Sequence, residues 1–209
     1  MAKFFIGLVL GVGISYLAYR AGTLNRGGGV AAGVLGTIVF GLGGVGWAVV
    51  LLTFFISSSV LSKTFKDRKV GVGNHFSKGY RRDAVQVAAN GGVAGLLALL
   101  YFCTLQVFPE SNRLVLLWIG FAASVAGANA DTWATELGVL NPRQPLLLAT
   151  FHRVPQGTSG AVSAVGTLAA LAGAMLVAGA AILSSSVGWA PDIGLSHGTQ
   201  FLLISLGGL

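Results

Sequence analysis

Charged side chains are scarce in this chain. Of its 209 residues, 9% are charged and 54% are hydrophobic, and the mean hydropathy is +0.80. This composition excludes a water-soluble domain and indicates an integral membrane protein. No glycine-rich nucleotide-binding pattern follows a strand, so a soluble nucleotide-binding fold is not supported. The single cysteine, Cys103, excludes an intrachain disulfide, and because it lies in an apolar run we expect a small core residue.

Long apolar runs account for most of the chain. A spanning helix needs roughly 20 mostly apolar residues, and the candidate runs are Phe4–Tyr19, Val30–Leu61, Ala84–Phe108, Leu114–Ala130, Gly160–Leu183 and a last run from Phe201. The second run is too long for one crossing, and its GLGGVG segment at residues 41–46 predicts a break. We predict one all-α transmembrane domain over residues 1–209, a polytopic helical bundle with about six crossings. The first helix is expected to be retained, because no small-residue cleavage site follows it.

The basic residues sort to one side of the predicted membrane. Eleven fall in segments 20–29, 62–83 and 131–157, whereas Lys3 and Arg113 fall on the other side. The positive-inside rule places the basic side in the cytoplasm, together with Asp131 and Glu136. We expect a prokaryotic plasma-membrane protein whose partners include membrane lipids and no nucleic acid.

The chain is also rich in glycine, with 32 residues. Glycine lets membrane helices approach closely, either within one chain or across a homodimer. The spacings that fit this use are Gly7/Gly11, Gly29/Gly33 and Gly91/Gly95.

Two carboxylates lie where an apolar run ends, in the segment GANADTWATELG. Asp131 and Glu136 are either solvated residues at the membrane edge or functional groups. On a continuous helix they would point about 140° apart, so joint metal binding requires a bend or unwinding between Thr132 and Glu136. We predict that Asp131, with Glu136 helping directly or through water, holds a Mg²⁺ ion on donor phosphates. Asp131→Asn is then expected to cost more activity than Glu136→Gln.

A basic segment, SKGYRRDAVQVAANGG at residues 77–92, precedes the next apolar run. Lys78, Arg81 and Arg82 come before the helix, and Arg82, Gln86 and Asn90 form one stripe along it. The stripe either faces a polar cavity or combines a topology signal with helix–helix hydrogen bonds.

Two further segments on this side carry hydroxyl groups. In RVPQGTSGAVS, the residues Arg153, Gly157, Thr158 and Ser159 surround a turn that leads into an apolar run. Free N–H groups and hydroxyls at a helix start suit a phosphate, and equally an ordinary helix cap. Ser57–Ser59, ahead of Lys63, either line the site or bond to carbonyls of their own helix. Carboxylates, cations and hydroxyls together indicate phosphoryl or nucleotidyl transfer to a lipid phosphate or alcohol.

Four motifs resemble the transmembrane protein nineteen family, a former domain-of-unknown-function family that includes the plant phytyl-phosphate kinase of vitamin E synthesis. They are FFISSSVLSK, RRDAVQVAANGG, ADTWATELG and RVPQGTSGAVSAVG, and the similarity extends from about residue 20 to the end of the sequence. The resemblance implies a membrane kinase that converts a prenyl monophosphate to the diphosphate, with CTP as donor. The residues that match the family's motifs are Ser59, Lys63, Arg82, Gln86, Asn90, Asp131, Thr132, Glu136, Gly157 and Thr158.

The same resemblance leaves two other classes of function open. A cytidylyltransferase would release pyrophosphate and make a CDP-lipid, whereas a transporter or scaffold would turn over no nucleotide. Relatives continue into a further acidic motif, so we expect this chain to lack their C-terminal part.

Overall fold

The computed structural model describes residues 2–65, 81–191 and 194–209, and most of them are helical. The α-helices are α1 (Ala2–Arg20), α2 (Arg26–Ile38), α3 (Val45–Thr64), α4 (Ala84–Val107), α5 (Arg113–Gly138), α6 (Ala164–Ser186) and α7 (His197–Gly207). A π-helical turn, Val39–Gly43, extends α2. The predicted membrane helical bundle is confirmed.

The break predicted within residues 30–61 lies at Gly44. Its φ of +94° is a conformation that residues with a side chain rarely adopt, so glycine lets the chain leave the π-helical turn and begin α3. The N–H of Gly46 donates to the carbonyl of Trp189 at 3.0 Å, which ties the break to the loop after α6. The two halves pack mainly on different neighbours, because α2 lies against α1 and α4, whereas α3 lies against α5 and α6.

Five helical segments are long and apolar enough to cross a membrane. They are Arg26–Gly43, Val45–Thr64, Ala84–Val107, Arg113–Gly138 and Ala164–Ser186. The apolar part of α1, Phe4–Arg20, is shorter, so the predicted six crossings are approximate. With 11 residues, α7 is too short to span a bilayer.

Small residues bring α1 and α2 close together. Gly11 lies against Gly36 and Thr37, and Gly7 lies against Gly41. Without side chains at these points the two backbones can touch, as is common between membrane helices. At least these predicted glycine contacts therefore form within one chain.

An aromatic cluster lies near the Gly44 break, around Trp47 at the start of α3. The ring of Trp47 lies 4.8 Å from Tyr101, 5.2 Å from Trp118 and 4.3 Å from Phe121, measured between centroids. These tilted contacts join α3, α4 and α5 into one core.

A small antiparallel sheet separates α5 from α6, and sequence analysis did not predict it. Its strands are β1 (Leu146–Leu147), β2 (His152–Arg153) and β3 (Ala161–Val162), in the order β2-β1-β3. Strands of two residues leave no recognisable alternation in a sequence. Because β3 intervenes, α6 begins only at Ala164, capped by the Ser163 hydroxyl, which accepts from the Gly166 N–H at 3.1 Å. The expectation that residues 158 and 159 start this helix was wrong.

The expectation of a buried Cys103 was also wrong, since this residue is exposed on α4. In a membrane protein the surface that faces lipid is as apolar as the core, so hydropathy alone does not distinguish the two positions.

Candidate functional site

We use the term basic end for the end of the bundle that carries residues 20–26 and 81–83. Here the connection between α1 and α2 pairs with the start of α4 through a parallel bridge between Leu24 and Arg82. The N–H of Arg82 donates to the carbonyl of Thr23 at 2.9 Å, and the N–H of Asn25 donates to the carbonyl of Arg82 at 3.1 Å. A Cβ atom at Gly28 would collide with that same carbonyl. The backbone of Arg82 is therefore held in place by its neighbours.

The side chain of Arg82 enters the bundle. Its Cζ atom lies 5.3 Å from the ring centroid of Phe54 and 6.0 Å from that of Phe55. The Nη1 and Nη2 atoms are buried and have no hydrogen-bond partner in the described part of the chain. Burial lowers the pKa of Arg82 from its ordinary value, and the negative charge of Glu136 opposes this shift. A buried cation with unused donors is costly, and an anionic ligand would relieve that cost.

Glu136 is the carboxylate that faces the interior of the bundle. It is 5% exposed and accepts a hydrogen bond from the Ser62 hydroxyl at 2.7 Å. Asp131 is exposed, and α5 continues without interruption past both residues. The bend that a shared metal ion would require is therefore missing, and the structure does not bring the two carboxylates together.

A buried polar cluster lies two helical turns from Glu136 and joins α3, α5 and α6. The Asn129 Oδ1 atom accepts from the hydroxyls of Ser57 and Ser58, each at 3.0 Å, and Nδ2 donates to the Gly173 carbonyl at 2.8 Å. The indole N–H of Trp133 donates to the Ser57 hydroxyl at 3.4 Å. This cluster fixes α3 against α5 in the register that brings Ser62 to Glu136.

An apolar cavity of about 70 Å³ lies between α1, α2, α3 and α4, with Arg82 in its wall. Its polar lining residues are Ser15, Arg82 and Asn90. The rest of the wall is apolar or glycine, so a single cationic group borders a space suited to hydrocarbon.

The predicted stripe of Arg82, Gln86 and Asn90 is divided between two roles. Gln86 forms a capping box with Asp83, in which each side chain accepts from the other residue's N–H, at 3.0 and 2.8 Å. Arg82 and Asn90 both line the cavity. The stripe thus faces protein, and its middle residue, Gln86, caps the N-terminus of α4.

Other predicted site residues lie around this end. Ser59 is half-buried, and its hydroxyl has no hydrogen-bond partner among the described residues. Lys63 and Arg81 are exposed, and Lys78 lies outside the described residues. The Thr132 hydroxyl donates to the Ala128 carbonyl of its own helix at 2.9 Å.

The remaining predicted residues lie in β2 and in the turn between β2 and β3. Arg153 donates to a backbone carbonyl at 2.9 Å, and the Thr158 hydroxyl donates to another at 2.8 Å. Gly157 has a φ of +87°, and Ser159 is exposed. In the described part of the chain no hydrogen bond joins this turn to Arg82. Its role in phosphate binding stays a prediction.

Sequence reasoning missed Ser62, Asn129 and the segment that holds Arg82. The spacing held a signal for the first two, because Ser58 and Ser62 are four residues apart and Asn129 and Glu136 are seven apart. Those spacings put each pair on one helical face. The pairing of Leu24 with Arg82 has no local signal, since it joins distant segments.

A metal ion would find few protein ligands here. Within the described ranges no group of three or more His, Cys, Asp or Glu residues is arranged to hold one. Mg²⁺ commonly uses one or two carboxylates together with substrate phosphates and water. Glu136 fits that pattern, because it is a single carboxylate that interacts electrostatically with Arg82, the residue that could bind a phosphate.

Comparisons with known proteins support the family resemblance. A family model described as "Integral membrane protein DUF92" matches residues 9–209. Protein PGR of Arabidopsis thaliana is 38% identical over 166 residues, which cover 76% of this chain and 57% of the relative. Protein VTE6, chloroplastic, of the same plant is 30% identical over 158 residues, 74% of this chain and 46% of the relative.

A prokaryotic relative is similarly distant. An uncharacterized membrane protein of Methanocaldococcus jannaschii is 27% identical over 177 residues, 85% of this chain and 69% of the relative. The match to Protein PGR covers 57% of that relative, so the chain spans little more than half of its length. No solved structure gives a significant match.

Proposed function

Since the chain belongs to the family described as integral membrane protein DUF92, we propose that it is a membrane-embedded kinase that phosphorylates a prenyl monophosphate to the diphosphate, with CTP as donor. The four motifs that resemble a family with a plant phytyl-phosphate kinase support this activity. The similarity to Protein VTE6 extends over 74% of the chain.

One observation carries the proposal. The Arg82 guanidinium has buried donors without a partner and lies in the wall of an apolar cavity. The negative charge of Glu136 acts on it and opposes the lowering of its pKa by burial. A lipid phosphate matches this arrangement, because its phosphate satisfies the donors while its chain remains among apolar side chains.

The reaction needs positioning and charge neutralisation more than covalent help from the protein. An oxygen of the prenyl phosphate attacks the γ-phosphorus of CTP, the bond from that phosphorus to the bridging oxygen breaks, and CDP leaves. We assign Arg82 to the acceptor phosphate and the exposed Lys63 and Arg81 to the triphosphate. Glu136, with Ser62 fixing its carboxylate, would hold Mg²⁺, which neutralises phosphate charge when bound.

The basic end is assigned to the cytoplasm by the positive-inside rule, where CTP is available. A prenyl chain enters from the bilayer and the nucleotide from water, so a site at this end serves both substrates.

Product analysis tests the function directly. Purified protein in nanodiscs is incubated with Mg²⁺, labelled CTP and farnesyl, geranylgeranyl or phytyl monophosphate. We expect CDP and a prenyl diphosphate in equal amounts. Pyrophosphate with a CDP-lipid would instead identify a cytidylyltransferase, and binding without any nucleotide turnover would identify a transporter or scaffold.

A pair of arginine variants tests the central observation. Arg82→Lys keeps the charge but removes the guanidinium fork, so we expect kcat/KM for the prenyl phosphate to fall by about tenfold to a hundredfold. Arg26→Lys is the matched control, because Arg26 is an exposed arginine at the same end of the bundle and has no assigned role in binding. Equal effects of the two variants would mean that Arg82 is only one of several surface charges.

A further inference from the structure

The cavity beside Arg82 follows the helices for about two turns. On α2 and the π-helical turn that extends it, the lining runs from Ala32 to Phe40, which at about 1.5 Å per residue corresponds to about 12 Å. Arg82 and Asn90 come from the basic end of α4 and its preceding segment, whereas Phe40 and Gly11 lie deeper in the bundle. A molecule in this cavity would have a polar group at Arg82 and an apolar part directed toward the bundle centre.

The size of the cavity limits what it can take. Its volume of about 70 Å³ is smaller than the ~150 Å³ engineered cavity that binds benzene. The space admits one hydrocarbon chain for part of its length and has no room for two chains side by side. Residues of α1, α2, α3 and α4 line the cavity, and part of it is open, which gives a chain a way in.

We propose that this cavity binds the phosphate-proximal part of a single lipid chain, with the phosphate on Arg82, and that it rejects diacyl lipid phosphates. The inference rests on the proposed function and deepens it, since it separates single-chain prenyl phosphates from phosphatidate as acceptors. Charge complementarity selects the occupant, because the buried donors of Arg82 favour an anion and the wall is apolar or glycine apart from Ser15, Arg82 and Asn90.

Leu35 sets the width of the cavity. Its side chain lies in the space left open by Gly91 and Gly95 of α4, so these glycines place Leu35 against α4. Shortening Leu35 joins the cavity to this space, whereas enlarging Ala32 on the same helix narrows the cavity. The two changes have opposite expected effects on which chains fit.

Photolabelling tests the site without requiring turnover. The full chain in phosphatidylcholine nanodiscs is labelled with farnesyl monophosphate that carries a diazirine near its phosphate, with the same probe as the free alcohol, and with a diacyl phosphatidate probe. We expect the farnesyl phosphate probe to label cavity-lining residues such as Leu35, Leu52 and Phe55. Labelling confined to exposed positions such as Val60 and Val93, or equal cavity labelling by phosphatidate, would overturn the inference.

Variants with matched controls complete the test. Ala32→Leu should reduce cavity labelling about tenfold, the discrimination typical of one poorly fitting group in a pocket. Ala89→Leu makes the same change at an exposed position of α4 and should have no effect. Leu35→Ala should increase the labelling or turnover of bulkier chains relative to farnesyl phosphate, and unchanged selectivity in both cavity variants would contradict the inference.

The outcomes also separate this inference from the proposed kinase activity. Cavity labelling by farnesyl phosphate without CDP release would support the lipid site and overturn the kinase. CDP release with labelling only on the outer surface would support the kinase and overturn the cavity as its lipid site.

Discussion

Burial of their charged atoms distinguishes Arg82 and Glu136 from the exposed charged residues at the basic end. Exposed groups such as Lys63, Arg81 and Asp131 have water as an alternative partner, so their charges cost little. The Nη1 and Nη2 atoms of Arg82 are buried away from water and have no hydrogen-bond partner among the described residues. A protein that keeps such a group against its cost has a use for it, and anion binding is the use that its surroundings support.

The two carboxylates of α5 provide a direct test at this scale. Glu136→Gln removes a buried charge near Arg82, so we expect turnover to fall by about a hundredfold or more, in line with loss of a charged partner in a catalytic site. Asp131→Asn changes an exposed group and should cost less than tenfold by the same reasoning. The measurement is kcat with farnesyl phosphate and CTP over a Mg²⁺ titration.

This expectation reverses the order of effects that the sequence predicted. If Asp131→Asn is the more damaging change, the metal lies on the exposed side of α5 and the sequence-based assignment is right. Both variants should remain folded, which size-exclusion chromatography checks.

The sequence identified both Arg82 and Glu136 as candidates, but its ranking of Asp131 above Glu136 contained no information on helix packing. Their five-residue spacing showed that one helix would separate them. Which of them faces protein depends on where α3 and α6 pack against α5. Asn129 fixes that packing through hydrogen bonds to Ser58 and Gly173, which are each more than 40 residues away in the sequence. No pattern within α5 contains this information.

At the scale of elements, close packing of α1 on α2 holds one wall of the cavity. Gly11 contacts α2 and also lines the cavity, so the distance between these two helices affects both stability and the lipid site.

A valine scan of two glycines tests this packing. At Gly11 a Cβ atom would come within 2.6 Å of the Thr37 backbone nitrogen, whereas at Gly13 it would meet nothing within 4 Å. Gly11→Val should therefore lower the free energy of unfolding by about 1–3 kcal/mol, the usual cost of overpacking. Gly13→Val places the same side chain two residues away and controls for helix propensity. Denaturant titration in detergent micelles measures both, and equal losses would mean that α1 does not pack on α2 in this way.

Elements differed in how well the sequence predicted them. The long helices and the break near Gly44 were predictable, because hydropathy and glycine act locally. The sheet of residues 146–162 was not, because its strands are held by pairing such as that of Leu146 with Arg153 and Val162. The late start of α6 follows from the same sheet.

At the scale of the whole molecule, hydropathy locates the membrane segments but does not tell core from lipid-facing surface. Cys103 and the cavity residue Leu35 lie in equally apolar runs, yet one is exposed and the other is packed against α4. The difference arises from the arrangement of helices, since lipid and protein interior are similar solvents for these side chains.

The orientation of the whole bundle decides whether the site can reach CTP. The segments that hold Arg20, Arg26, Arg81 and Arg82 meet at one end through the pairing of Leu24 with Arg82, so their charges act together as a topology signal. In a Cys103→Ser background, which removes the exposed native thiol, single cysteines are placed at Gln144, after α5, and at Asn112, before it. We expect a membrane-impermeant maleimide to modify Gln144→Cys only from the cytoplasmic side and Asn112→Cys only from the opposite side, because α5 separates the two positions. The reverse pattern would place the basic end outside the cell, away from nucleotide, and the proposed kinase would then have no donor. Modification of both positions from one side would show that α5 does not cross the membrane.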